Sequence, residues 1–155
     1  MKSNASRSSL RSRRKRRPEL YDLYEIAEKN GIGVYTGNIP LTVSMCVPGA
    51  VALDFRLIGN PTEERTRLGH ELGHCCMNAF YERNDPQFIK KRCENRADRW
   101  AIRQLVPRDE LLDAVRRGIT APWDLAEYFG VTEQLMRKAI WFYENGNMSI
   151  EEEAS

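Results

Sequence analysis

"RLGHELGHCC", residues 67–76, carries the pattern His, Glu, any two residues, His. On a helix, residues four apart differ in direction by only about 40°. His70 and His74 therefore point the same way, one turn apart, at the spacing that two ligands of one Zn²⁺ need. Glu71 sits on the flank of that stripe, where it can reach a water at the metal without being a ligand. Leu68, Leu72, Cys75, Cys76 and Ala79 recur at helical spacing on the opposite face. Gly73 lies beside the histidines and lets another segment come close. The bland alternative is an ordinary amphipathic helix that happens to carry two histidines. The chain has only two histidines, and both fall inside this pattern, which favours the metal.

The context is that of a capped helix. "NPTE" places Asn60 as N-cap, Pro61 at the first helical position and Glu63 as capping-box partner. The helix is expected to run to about Tyr81. A third protein ligand is needed, and with no spare histidine it must be a carboxylate or a thiolate. "CENRADRWA", residues 93–101, offers Glu94 and Asp98 on one face of a further helix. Ala97 and Ala101 line the same face and would let the two helices pack tightly. Glu94 is the candidate ligand, with Asp98 holding the far nitrogen of a ligating histidine. Asp98 as the ligand is the rival assignment, and a solvated acid pair is the bland one. Cys93 points about 100° away from Glu94 and belongs to the core.

Upstream, "PELYDLYEIAEKNG" (18–31) puts Leu20, Leu23, Tyr24 and Ala27 on one helical face and stops at Asn30-Gly31. Residues 32–36 read as a short strand. "LTVSMCV" (41–47) alternates, with Leu41, Val43, Met45 and Val47 on one side. Val51, Leu53 and Phe55 follow after a Pro-Gly turn that makes the two runs a hairpin. Downstream, helices are expected to about Leu105, over 107–117, over 121–129 and over 133–144, the last two hinged at Gly130. The fold class is α+β: a small antiparallel sheet, an active-site helix, a glutamate helix and a C-terminal helical pair.

The chain of 155 residues is one domain's worth, and at 41% hydrophobic it can build a core. Eight of its 24 bases and none of its 22 acids lie in residues 1–17, which leaves a net of −6 in the rest. The expected organisation is a disordered basic arm (1–17), a folded domain (18–147) and a frayed acidic tail (148–155). The arm is a solvated tail, or a weak, salt-sensitive tether to nucleic acid. Cys46, Cys75, Cys76 and Cys93 form no framework, which suits free thiols in a reducing cytoplasm. No apolar run approaches a membrane span, so a membrane role is not expected.

"HELGH" followed by "ENRADRWAIRQLVP" resembles the ImmA/IrrE family of zinc metallopeptidases. The second motif of that family is E-x-x-A-N/D-x-F-A followed by L-x-P. Glu94, Ala97, Asp98, Ala101 and Leu105-Val106-Pro107 occupy its places, with Trp100 where Phe is usual. The resemblance covers about residues 20–145. It implies a compact zincin fold and a protein substrate, a helix-turn-helix repressor of a prophage, mobile element or stress response, inactivated by cleavage. The residues themselves support Glu71 as general base. A different class of function also has a foothold. "DLAEYFGVTEQLMRKAIWFY" (124–143) has helix-turn-helix spacing, so a DNA-binding regulator using this pair and the basic arm is the alternative. Against it, the second helix offers only Arg137 and Lys138 as cations, and its Trp141-Phe142-Tyr143 run suggests packing.

Overall fold

In a computed structural model of the chain, residues 18–146 are described. The basic arm 1–17 and the tail 148–155 lie outside the described residues. Helix α1 (Leu20–Lys29) buries Leu23 and Ala27, the face its periodicity requires. Tyr24 ties it to the next helix by donating to Glu64 Oε1 at 2.7 Å.

Three short strands follow: β1 (Gly33–Thr36), β2 (Ser44–Val47) and β3 (Ala50–Leu53). β2 and β3 form the expected antiparallel hairpin through Pro48-Gly49, with Gly49 at φ +81°, where a type II turn needs glycine. The sheet order is β1-β3-β2, and β1 pairs with β3 in parallel. The sheet is therefore mixed, not wholly antiparallel. Only four residues, 37–40, lie between β1 and the stretch read as a strand from Leu41. That stretch does not begin pairing until Ser44. Leu41 stands fully exposed at φ +68°, and residues 37–43 cross from one edge of the sheet to the other. Buried Asp54 anchors this crossing by accepting from the Ile39 amide (3.1 Å) and from Arg56 Nε (2.9 Å). Those bonds hold its carboxyl well below the usual carboxylate range, against the cost of burial.

The two strands of the hairpin face the interior differently. Val51 and Leu53 of β3 are fully buried. Their partners on β2 are Cys46 and Ser44, so the inner face of β2 carries a thiol and a hydroxyl. Met45 and Val47 face outward and are nearly half exposed.

Helix α2 (Pro61–Cys76) lies under this sheet and is capped as its sequence requires: Asn60 Oδ1 accepts from the Glu63 amide at 2.9 Å. Glu63 reaches one residue past the N-cap and accepts from Gly59 N at 3.3 Å. Leu68 and Leu72 are fully buried, each worth about 1.5–3 kcal/mol. The helix ends five residues before Tyr81. Asn78 takes the left-handed conformation (φ +49°), the Ala79 amide bonds to His74 O (2.9 Å) and the Asn78 amide to Cys75 O (3.3 Å). This is a Schellman C-cap, and it turns the chain back over the helix.

Helix α3 (Gln87–Leu105) packs along α2 with Ala97 and Ala101 fully buried between them. A Cβ on Gly73 would sit 2.5 Å from the Ala97 carbonyl oxygen, so the backbones touch there and only glycine fits. Helices α4 (Arg108–Arg116), α5 (Pro122–Phe129) and α6 (Glu133–Asn145) close the fold, with Gly130 as a left-handed C-cap between the last two. Arg65 of α2 is buried and donates to the carbonyls of Phe129 (2.6 Å), Gly130 (2.9 Å) and Pro18 (2.8 Å). One side chain thus ties the central helix to the start of the described chain and to the α5–α6 junction.

Candidate metal centre

His70 and His74 leave α2 on the side facing the inner surface of β2. Glu94 arrives from α3, brought close by the Gly73–Ala97 contact. Glu94 Oε2 lies 2.9 Å from His70 Nε2, and Glu94 Oε1 lies 3.2 Å from His74 Nε2. The two Nε2 atoms are 3.1 Å apart. The far nitrogens are both engaged. His74 Nδ1 is 2.6 Å from the Ala79 carbonyl, and His70 Nδ1 is 2.8 Å from Asp98 Oδ1.

These partners fix the tautomers. A carbonyl oxygen and an ionised carboxylate only accept, so both Nδ1 atoms carry hydrogens. In the neutral rings both Nε2 atoms then present lone pairs, and they face each other and a carboxylate. Such a set of donors repels itself unless positive charge lies among them. The donors are two imidazoles and a carboxylate, nitrogen and oxygen atoms suited to Zn²⁺, and the residues present fit that ion.

Burial pulls the His70 pKa down, but hydrogen bonds to Asp98 and Glu94 outweigh it and push it up to about 10. His74 is also raised, burial again opposing and Glu94 prevailing. Glu94 moves the other way, held far below its usual range by both imidazoles and Tyr81 despite burial. Asp98 is likewise lowered by His70 and Lys138 against a burial cost.

Glu71 is buried beside this group, and its Oε1 accepts from Ser44 Oγ at 2.7 Å. That bond explains the polar inner face of β2: the strand lies over the site and serves the glutamate. Cys46 comes from the same strand, and Cys46, Glu71 and His74 form a second group able to hold a cation. The first group needs no thiol and leaves Glu71 free, which makes it the better donor set. A cleft of about 860 Å³ opens over these residues, walled by β2 on one side and by Phe80, Tyr81 and Asp85 on the other.

The structure brings together all five residues singled out by sequence: His70, Glu71, His74, Glu94 and Asp98. Glu94 lies between the ring nitrogens, and Asp98 lies behind His70. Three neighbours carried no sequence signal strong enough to find them. Ser44 is one. Tyr81 donates to Glu94 Oε1 at 2.6 Å from the turn after α2. Lys138 of α6 donates to Asp98 Oδ2 at 2.7 Å. A polar residue amid an alternating strand was the available hint for Ser44, and Asn78 as a helix stop the hint for Tyr81. Lys138 lies 40 residues from its partner and offered none.

A helix-borne pair of histidines, an adjacent glutamate and a carboxylate from a second helix, under a small sheet, define a metallopeptidase-like α+β domain. The family model Peptidase_M78, the IrrE N-terminal-like domain, matches residues 59–140, from the start of α2 into α6. The chain belongs to this family of metallopeptidases, as its two motifs suggested. No curated protein matches it. No described helix is long and apolar enough to cross a membrane.

Proposed function

We propose that this chain is a zinc-dependent endopeptidase of the cytoplasm that cleaves a partner helix-turn-helix repressor and so relieves repression. His70, His74 and Glu94 are the metal ligands, and Glu71 is the general base. The observation that carries the reading is the convergence of both Nε2 atoms and Glu94 within 3.2 Å, with both Nδ1 atoms engaged elsewhere. Bound there, zinc would acidify a water and polarise the scissile carbonyl.

The protein does the rest. Asp98 fixes the orientation of His70, and the Ala79 carbonyl fixes that of His74. Ser44 holds one oxygen of Glu71, leaving the other to take the proton from water and pass it to the departing amine. β2 is an edge strand along the cleft, where an extended peptide can add as a further strand. The repressor as partner rests on the family resemblance.

The DNA-binding alternative has less support. Arg137 is engaged by Glu133 (2.7 Å) and Lys138 by Asp98, while Leu135, Met136, Ala139 and Phe142 bury the other face of α6.

Co-expression with a candidate helix-turn-helix repressor, taken from the neighbouring genes, tests the proposal. Fragments are expected with the wild type and none with Glu71→Gln, which keeps one zinc per chain. Efficient digestion of casein with the repressor left intact would favour a general peptidase.

A further inference from the structure

Hydrolysis needs a hydrogen-bond donor for the oxygen that gains charge as water adds to the carbonyl carbon. Neither histidine can serve, because each Nδ1 is engaged and each Nε2 faces Glu94. Among the described residues lining the cleft, Thr42 donates to the Ser44 carbonyl at 2.9 Å, Ser44 to Glu71, Arg67 Nε to Glu63 at 3.0 Å and Tyr81 to Glu94. Of these four donors Tyr81 alone is bonded to the ligand set.

We infer that Tyr81 is a catalytic residue, donating its phenolic hydrogen to the oxyanion of the tetrahedral intermediate; this rests on the peptidase reading above. Three observations support it. The hydroxyl is 2.6 Å from Glu94 Oε1, the oxygen that also approaches His74. The ring stands edge-on to the His74 ring, 6.2 Å between centroids, so it is seated against the donor set. The side chain is 40% exposed in the cleft wall, so substrate can reach it.

The placement comes from the backbone. The Schellman turn at Asn78 and Ala79 sends the chain back across the end of α2, and the bond from His74 Nδ1 to Ala79 O pins the turn two residues before Tyr81. A phenol O–H donates one hydrogen bond at a time. In the resting site it goes to Glu94, whose charge is already shared with both imidazoles. The oxyanion competes for it. Tyr81 keeps its proton throughout: water adds to carbon, Glu71 carries the proton to nitrogen, and the C–N bond breaks.

The test compares wild type, Tyr81→Phe and Glu94→Ala by zinc affinity, kcat on the co-expressed repressor, and binding of N-phosphoryl-Leu-Trp, a tetrahedral oxyanion mimic, to the zinc-loaded protein. Tyr81→Phe is expected to keep zinc affinity within about threefold while kcat falls about 10²–10³-fold, the usual worth of one oxyanion donor. Mimic affinity is expected to fall about 10- to 100-fold, as for one hydrogen bond to a charged oxygen. Unchanged kcat and mimic affinity would overturn the assignment. So would a loss of zinc affinity like that of Glu94→Ala, which would make Tyr81 a support for Glu94. A wild type that takes up zinc yet neither cleaves repressor nor binds the mimic overturns the peptidase reading itself, and Tyr81 with it.

Discussion

The two carboxylates of α3 have the same chemistry and different positions, and position decides what each loss should do. Glu94 touches both Nε2 atoms, while of the ring nitrogens Asp98 touches only the far one of His70. Glu94→Ala is expected to abolish tight zinc binding, and Asp98→Ala to weaken it by about 10–100-fold. A chelator titration that ranks them the other way makes Asp98 the ligand. The histidines supply a pH prediction. In the metal-free chain His70 is protonated up to about 10, well above its unfolded value near 6.5. Its contribution to stability is then complete below about 6.5 and is lost as pH rises through 10. Zinc bound at this site would take the place of that proton. Thermal melts in chelator should fall between pH 7 and 10, while the zinc-loaded protein should hold. Parallel curves with and without zinc would contradict this. His70 and His74 could be read from sequence because a four-residue spacing on a helix fixes direction by itself. Three neighbours of the site could not: Tyr81, Ser44 and Lys138 reach it only through a turn, a strand and a distant helix.

At the level of elements, the close contact of α2 with α3 sets the site's dimensions. Gly73→Ala drives a methyl into the Ala97 backbone, which cannot move aside. It should cost about 1–3 kcal/mol, net of the better helix propensity of alanine, and weaken zinc binding by moving Glu94. Gly69 is the control. Its added methyl would meet Leu105 Cδ1 at 2.8 Å, the end of a flexible side chain, so Gly69→Ala should stay within about 1 kcal/mol of wild type. Equal losses in denaturant melts would show that the tight contact is not special. Helices α1 and α3–α6 were legible from period and punctuation. The course of β2 was not, because alternation says which residues share a face and not which face is inner. Here the inner face is the polar one, Ser44 and Cys46, since it covers Glu71 as well as the edge of the core. The pairing of β1 was also hidden: parallel addition depends on the path of residues 37–43, anchored by Asp54, which local pattern does not encode.

For the whole molecule, Arg65 is the tie to test. Its guanidinium serves three carbonyls from two distant segments. Arg65→Met would leave these acceptors unpaired and should cost about 2–4 kcal/mol. Urea melts should show that loss as a lower midpoint with an unchanged slope. A loss under about 1 kcal/mol would mean the carbonyls find other partners. The bond from Lys138 to Asp98 reaches across the fold in the same way, and it has a consequence in time. Polypeptides are made from the amino end, so both histidines, Glu71 and Glu94 emerge long before residue 138. Until α6 docks, Asp98 has one oxygen on His70 and no cation on the other. A ribosome that stalls before α6 therefore releases a chain with the whole catalytic signature and an unfinished centre. The helix that completes the support of Asp98 is thus made after every residue of the donor set.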